Sequence, residues 1–413
     1  MRATPVLRER RPALAVFASR PFRRLWVASA LSLLGDSFSY IAMAWLVLQL
    51  TGSSLALGSV LVAQALPRAP LMLVGGAMAD RLTPRLTMLG SMGLRVALVA
   101  PLAVTVLTGT VRMWEVYVVA VVFGVVDAFF IPARSSILPK LVRDEHLEPG
   151  NAVLTVTTQA SYIVGPALAG VVVAAFGTGW AFAGDAACFA VGSIFVVLLP
   201  RSAGGSAAAA GASSGKLRDE ITAGLRYAWG DVGIRAAHLF IASVDFAANG
   251  ALGVGLPVLA HSRFGAGSVG LGVLLGAWGI GATVGAAGAG FVRAPRRFGR
   301  LVVAVSAWIG TGVVIVGIVP SLVPAALTLG VAALATGAVN TYGVSWMQRR
   351  TDPAMQGRVM SLVMLASVGL TPIAYALSGA IADASATLLF ALCGGIMLAT
   401  AGIGVASRTV RAM

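Results

Sequence analysis

FRRLWVASALSLLGDSFSYIAMAWLVLQL, residues 22–50, carries two arginines at its start and a single acid, Asp36, in an otherwise apolar run. A helix needs about 20 such residues to cross a bilayer core, and this run exceeds that. It is also too long for the apolar region of a cleaved signal, so it reads as a first span that stays in the membrane. Working outward, runs bounded by charge, Gly and Pro recur at 54–79, 86–109, 112–134, 150–176 and 178–200. They continue at 235–260, 267–293, 299–319, 322–347, 356–382 and 386–406. Composition agrees: the 413 residues are 58% hydrophobic and 11% charged, against about 25% charged for a soluble domain. Because lipid offers backbone groups no hydrogen bonds, such runs must be helices. The fold class is therefore an all-α membrane protein with twelve transmembrane helices.

Formal net charge +15 would raise the question of nucleic acid in a soluble chain. Here 27 of the 30 Lys and Arg residues fall in the segments that share a side with the N-terminus, Arg95 being counted among them. Arg112 and Arg263 fall on the other side, and Arg68 lies inside a span. The positive-inside rule then puts both termini in the cytoplasm of a cell-membrane protein. The charge meets anionic headgroups, and no nucleic-acid partner is expected.

The chain divides into a basic arm (1–21), a six-helix bundle (22–200), a linker (201–234), a second six-helix bundle (235–406) and a tail (407–413). The linker opens on the Gly/Ser/Ala-rich RSAGGSAAAAGASSGK (201–216) and goes on to LRDEITAGLRYAW (217–229). The second piece is either an amphipathic helix on the membrane surface or a solvated linker helix. Gly76, Asp80, Arg81 and Arg85 are echoed by Gly288, Val292, Arg293 and Arg297, and Asn151–Pro166 is echoed by Gly357–Pro372. Two pseudo-symmetric halves in parallel repeat are the build of one large transporter class. Cys188 and Cys393 lie in separate apolar runs and read as small buried hydrophobes.

GAMADRLTPRL (76–86) resembles the loop-2/3 motif of the major facilitator superfamily, with Pro84 where a glycine is usual. QASYIVGPALAG (159–170) resembles the span-five motif of its antiporter branch through Gly165, Pro166 and Gly170, with Ser161 and Ala169 where glycines are usual. FRRLWVASALSLLGDSF (22–38), LQLTGSS (48–54), IPARSSILPKLV (131–142) and QRRTDPAMQGRVMSL (348–362) resemble the branch of drug:proton antiporters, macrolide efflux proteins and the enterobactin exporter. The resemblance implies that Asp80 meets the start of span eleven, near Gly357 and Arg358, and latches the cytoplasmic gate.

Ionisable residues within spans cost roughly 2.5–3.5 kcal/mol each against lipid and should face a cavity or a partner. Asp36, Asp127, Asp185, Asp245 and Arg68 are such residues. Ser29, Ser32, Asp36, Tyr40 and Met43 share one helical face, read as polar and wet, which makes Asp36 the first candidate for a reversible proton carrier. Asp245 follows, with His238 and Asn249 on its face; His238 is either an interfacial histidine or a proton relay. Asp127 is either a proton site or the partner of Arg134, and Asp185 reads as structural. Arg68 cannot lose its proton and is expected to pair with Asp36 first and Asp127 second. Tyr40, Asn249, Asn340, Tyr342 and Trp346 are candidate cargo contacts, with core packing the alternative for each.

No phosphate-binding lysine motif and no metal-spaced His/Cys/Glu cluster occurs, so no cofactor, metal or enzyme activity is expected. The sequence reads as a monomeric, proton-coupled exporter of an amphipathic small molecule such as a drug, siderophore or secondary metabolite. The alternatives are an importer or facilitator on the same fold and a transport-inactive sensor or scaffold. The topology has a direct test: a cysteine introduced at Ser206 should not react with an impermeant maleimide in intact cells. Labelling there would reverse the orientation.

Overall fold

The computed structural model describes residues 15–79, 83–200, 226, 229–292, 297–352, 355–407 and 410. Helices long and apolar enough to cross a membrane number twelve among them. The first half holds α1 (Arg20–Thr51), α2 (Ser54–Ala79), α3 (Pro84–Leu107), α4 (Met113–Ile137), α5 (Leu147–Phe176) and α6 (Thr178–Val197). The second holds α7 (Val232–Asn249), α8 (Gly267–Phe291), α9 (Phe298–Ile318), α10 (Leu322–Arg350), α11a (Gln356–Gly369), α11b (Thr371–Ala384) and α12 (Ala386–Ala406). Linker residues 201–225, 227 and 228 and the acid–base pair Asp80 and Arg81 lie outside the described residues.

Helix ends follow local chemistry. The Ser19 hydroxyl accepts the Phe22 N–H to start α1, and Gly52, at φ 64°, ends it in a conformation that suits glycine. Pro84, the departure noted in the loop-2/3 motif, opens α3 behind a Thr83 cap, a position where a missing N–H costs nothing. Beyond Asn249 the seventh span continues to Arg263 through two π-helical stretches, Gly250–Gly255 and Leu259–Arg263. The eleventh span breaks at Leu370, just before Pro372, whereas α5 runs unbroken through Pro166. The two echoed prolines therefore act differently.

Alternate turns gather on two faces. On one, Arg24 and Arg85 donate to the carbonyls that end α6, and Arg350 pairs with Asp231; we call this the basic face. On the other, Ser53 and Ser54 meet Asp383, and Arg263 reaches Gly317 and Thr387. Large apolar side chains such as Phe291 (92% exposed) and Ile403 (71% exposed) face outward, as expected of a lipid-facing surface.

Between helices, small residues set the spacing. A Cβ on Gly124 (α4) would stand 1.9 Å from the Gln64 carbonyl oxygen of α2. In the second half, Gly281 and Gly337 bring α8 and α10 equally close. Close backbone approach of this kind is how membrane helices gain van der Waals contact where no hydrophobic drive exists. The halves themselves meet towards the face opposite the basic one. Gly170 abuts Ser268, Gly272 abuts Pro166, and Gly58 abuts Gly379. The molecule is thus closed on that face.

Gly124→Val should lower stability by about 1–3 kcal/mol, since backbone blocks the new side chain. Gly90→Val, where nothing lies within 4 Å of the added Cβ, should be tolerated. Thermal unfolding in detergent, followed by tryptophan fluorescence, checks the pair.

Candidate functional site

The first half is built around a residue that the loop count misplaced. Arg95 lies inside α3 and its side chain is fully buried. It therefore leaves the set of 27 loop cations. Its Nη1 is 3.0 Å from Asp36 Oδ1 on α1, and its Nη2 bonds Asp127 Oδ1 on α4. Phe123, Phe130 and Phe189 surround the guanidinium, with ring centroids 5.1, 5.2 and 4.8 Å away. Each aromatic face adds a favourable interaction with the cation.

Arg68 lies 3.6 Å from Asp127 Oδ2. The first-choice Arg68–Asp36 pair is therefore corrected: Arg95 occupies Asp36, and Arg68 takes the second choice. The packing explains it. Gly124 presses α4 onto α2 at Gln64, and one turn further along each helix stand Asp127 and Arg68. The salt bridge of Asp127 is accordingly to Arg68 and Arg95 rather than to Arg134.

The four groups differ in access. The Asp36 side chain is 40% exposed, Arg68 34%, Asp127 16% and Arg95 0%. Asp36 stands one turn from Tyr40, whose hydroxyl lies 3.3 Å from the Gly253 carbonyl of the other half. Asp36 is thus on the face of α1 turned towards the second half. Tyr40 itself bonds the π-helical stretch of the seventh span. The expected wet face is corrected in part, for Ser29, Ser32 and Met43 are buried in helix packing (1%, 0% and 6% exposed). Asp185 is fully buried, accepts a hydrogen bond from Ser39, and would crowd any Cβ on Gly35. It pins α6 to α1.

In the second half a cavity of about 190 Å³ lies among α7, α9, α10 and α11a. Phe240, Val244, Ser306, Asn340 and Trp346 line it with a single carboxylate, Asp245, which accepts from Ser367. Trp346 stacks on Phe298 (5.0 Å, 18°) and lies under Arg350. Asn340 and Trp346 therefore face this cavity. Tyr342 instead donates to the Val292 carbonyl, and Asn249 donates to the Asp245 backbone carbonyl on its own helix. His238 is buried, with Nδ1 2.8 Å from the Ile234 carbonyl one turn back on its own helix.

The motif residues fall at seams. Gly165 lets α5 touch Ser37 of α1, while Gly170 and Pro166 meet α8. Arg85 caps α6, and Gly76 lies in α2. Two acids that the sequence reading did not single out act at helix starts. Asp383 is one. Asp231 is the other: it caps α7 through the N–H groups of Gly233 and Ile234 and pairs with Arg350. Partial burial pushes its carboxyl up, but the Ile234 N–H, Arg350 and the Gly233 N–H together hold it below the usual range.

Residues 11–413 match the family model described as transmembrane secretion effector, within the major facilitator superfamily. The chain belongs to this family. This major facilitator chain is 29% identical to the multidrug efflux pump Tap of Mycolicibacterium fortuitum over 363 residues, 85% of this chain and 86% of that protein. It is 26% identical to macrolide efflux protein A of Streptococcus pyogenes over 36% of each chain. Among solved structures, the nucleoside transporter NupG superposes with TM-score 0.72 at 14% identity, covering 94% of this chain and 98% of that one. A peptide transporter, POT, in complex with sulfate gives 0.74 at 15% identity over 94% of both chains. The protein is a multi-pass membrane transporter and not an enzyme.

Arg95→Ala should leave Asp36 without its cation and Asp127 with Arg68 alone, and, with Asp36 partly screened by solvent, should cost about 1–3 kcal/mol. Asp36→Asn with Arg95→Gln, which removes charge from both partners, should recover part of that. Thermal midpoints of the three proteins measure the difference.

Proposed function

We propose that this transporter is a proton-driven exporter of an amphipathic small molecule, working by alternating access with both termini in the cytoplasm. The observation that carries the reading is the sharing of one buried guanidinium, Arg95, by Asp36 and Asp127. Arg95 keeps its charge throughout, so the carboxylates must respond. A proton on Asp36, the more accessible of the two, ends its claim on Arg95. The guanidinium then belongs to Asp127, which also holds Arg68. A proton arriving at the cleft is thereby converted into a loosening of α1 from α3. Loss of the proton restores the bond.

The cargo reading is supported by the second-half cavity, mostly apolar with one acid and a few hydrogen-bonding side chains, among them Ser306, Thr336, Asn340 and Ser367. That composition suits a largely apolar molecule bearing a polar or cationic group. Drug, siderophore and secondary metabolite all fall within it. Outward direction is supported by the two relatives named for efflux and by the antiporter-like residues Gly165, Pro166 and Gly170. Partners in this reading are the cargo, protons and anionic headgroups, with the protein acting as a monomer.

Asp36→Asn keeps the shape of the side chain and one acceptor oxygen but cannot change charge. It should abolish accumulation of cargo driven by ΔpH and leave downhill equilibration in place. The measurement is cargo and proton flux in proteoliposomes, using a lipophilic cationic dye as cargo, for wild type, Asp36→Asn and Asp245→Asn. Uphill, ΔpH-driven accumulation by Asp36→Asn refutes the assignment. Loss of coupling in Asp245→Asn alone moves the proton site to the seventh span.

A further inference from the structure

We propose that Asp383 is a positioning residue of the transport cycle, a latch that holds the face opposite the basic one shut by capping a helix of the other half; the proposal rests on the alternating-access reading above. Asp383 is the penultimate residue of α11b, in the second half. Its Oδ1 accepts the backbone N–H of Ser54 at 2.8 Å, that of Leu55 at 3.4 Å and the Ser53 hydroxyl at 3.0 Å. Those three donors stand at the start of α2, in the first half: Ser53 just before it and Ser54 and Leu55 in its first turn. The earliest N–H groups of a helix have no partner within it, and the helix dipole favours an anion there. Ser53 is itself a cap, its oxygen accepting from Ala56. The carboxylate thus completes the start of α2 from across the seam.

The backbone delivers this carboxylate to its place. Tyr375, Gly379 and Asp383 follow at intervals of four along α11b, and Ser54 and Gly58 at the same interval along α2. A Cβ on Gly58 would stand 2.7 Å from the Tyr375 oxygen, and one on Gly379 would stand 3.1 Å from the Ser54 oxygen. The helices therefore touch backbone to backbone, and the acid reaches the next turn's N–H groups without stretching. Opening this face requires α2 and α11b to part. All three hydrogen bonds to the carboxylate would break together, leaving two helix-start N–H groups unpaired.

The latch can be read without cargo or a proton gradient. Spin labels at Thr110→Cys and Ser321→Cys, in a Cys188→Ala/Cys393→Ala background, report the separation of the halves on this face by pulsed dipolar spectroscopy. Wild type should sit mainly at the short distance. Asp383→Ala should raise the long-to-short ratio roughly fivefold, the scale of an exposed charge-assisted contact. Asp383→Asn, which keeps an acceptor oxygen, should fall between. Glu145→Ala, an exposed acid on the basic face, should leave the ratio unchanged.

A second arm avoids any loss of folding. Ser54→Cys/Asp383→Cys, oxidised, should abolish the long-distance population and stop dye transport, and reductant should restore both. An Asp383→Ala distribution that superimposes on wild type overturns the latch, as does an equal shift in Glu145→Ala or undiminished transport by the cross-linked protein. A shift in distance without transport of any dye removes the exporter reading and leaves the latch. Coupled transport without a shift does the reverse.

Discussion

A guanidinium that cannot lose its proton, placed where water does not reach, obliges the first half to organise around it. Arg95 stands eleven residues into α3, about 16 Å along the helix at 1.5 Å per residue, and its side chain is wholly buried. Its N–H groups are met by a carboxylate from α1 and another from α4, and three aromatic rings surround the rest. α1, α3 and α4 are thereby fixed in rotation and depth at once. A charge buried with its partners adds little to stability over an apolar core but severely penalises any arrangement that separates them. The same constraint that specifies the bundle also makes it responsive, since a single proton alters the balance.

Among the described residues, the second half has no such cation at its centre. Its equivalent region is a cavity with one acid, and its helices are held by glycine and alanine contacts such as Gly281 with Gly330 and Gly337 with Ala282. Charge appears at the ends: Asp231 with Arg350 on one face, Arg263 with Thr387 on the other. The two repeats share a helix plan and differ in what fills it.

The sequence made the helices plain because hydropathy is a local property. Each span matches its apolar run to within a few residues, and α2 and α12 coincide with theirs. Acids within spans were equally plain, since Asp36 and Asp127 interrupt otherwise apolar runs. Arg95 was visible but misassigned, because a cation nine residues into a run that opens beside two loop arginines looks like one more loop charge. Its depth becomes clear only once α3 is seen to begin at Pro84. Pairing was illegible: which carboxylate Arg68 meets is settled by Gly124, a residue with no charge to advertise. The Asp383 contact was hidden for a similar reason, since two of its three donors are backbone N–H groups that leave no mark in side-chain pattern.

The π-helical stretches of the seventh span bear on how that span is oriented. An α-helix advances about 100° per residue, and each π stretch absorbs a residue that the α ladder would not hold. The segment beyond the first stretch is turned by about that angle relative to an uninterrupted helix. Asp245 precedes both stretches, whereas His261 and Arg263 close the second. The azimuth of the cavity-lining half is thus decoupled from that of the half that packs His261 on Trp45. The span behaves as a shaft with a phase coupling in it, so its two ends can serve differently placed neighbours.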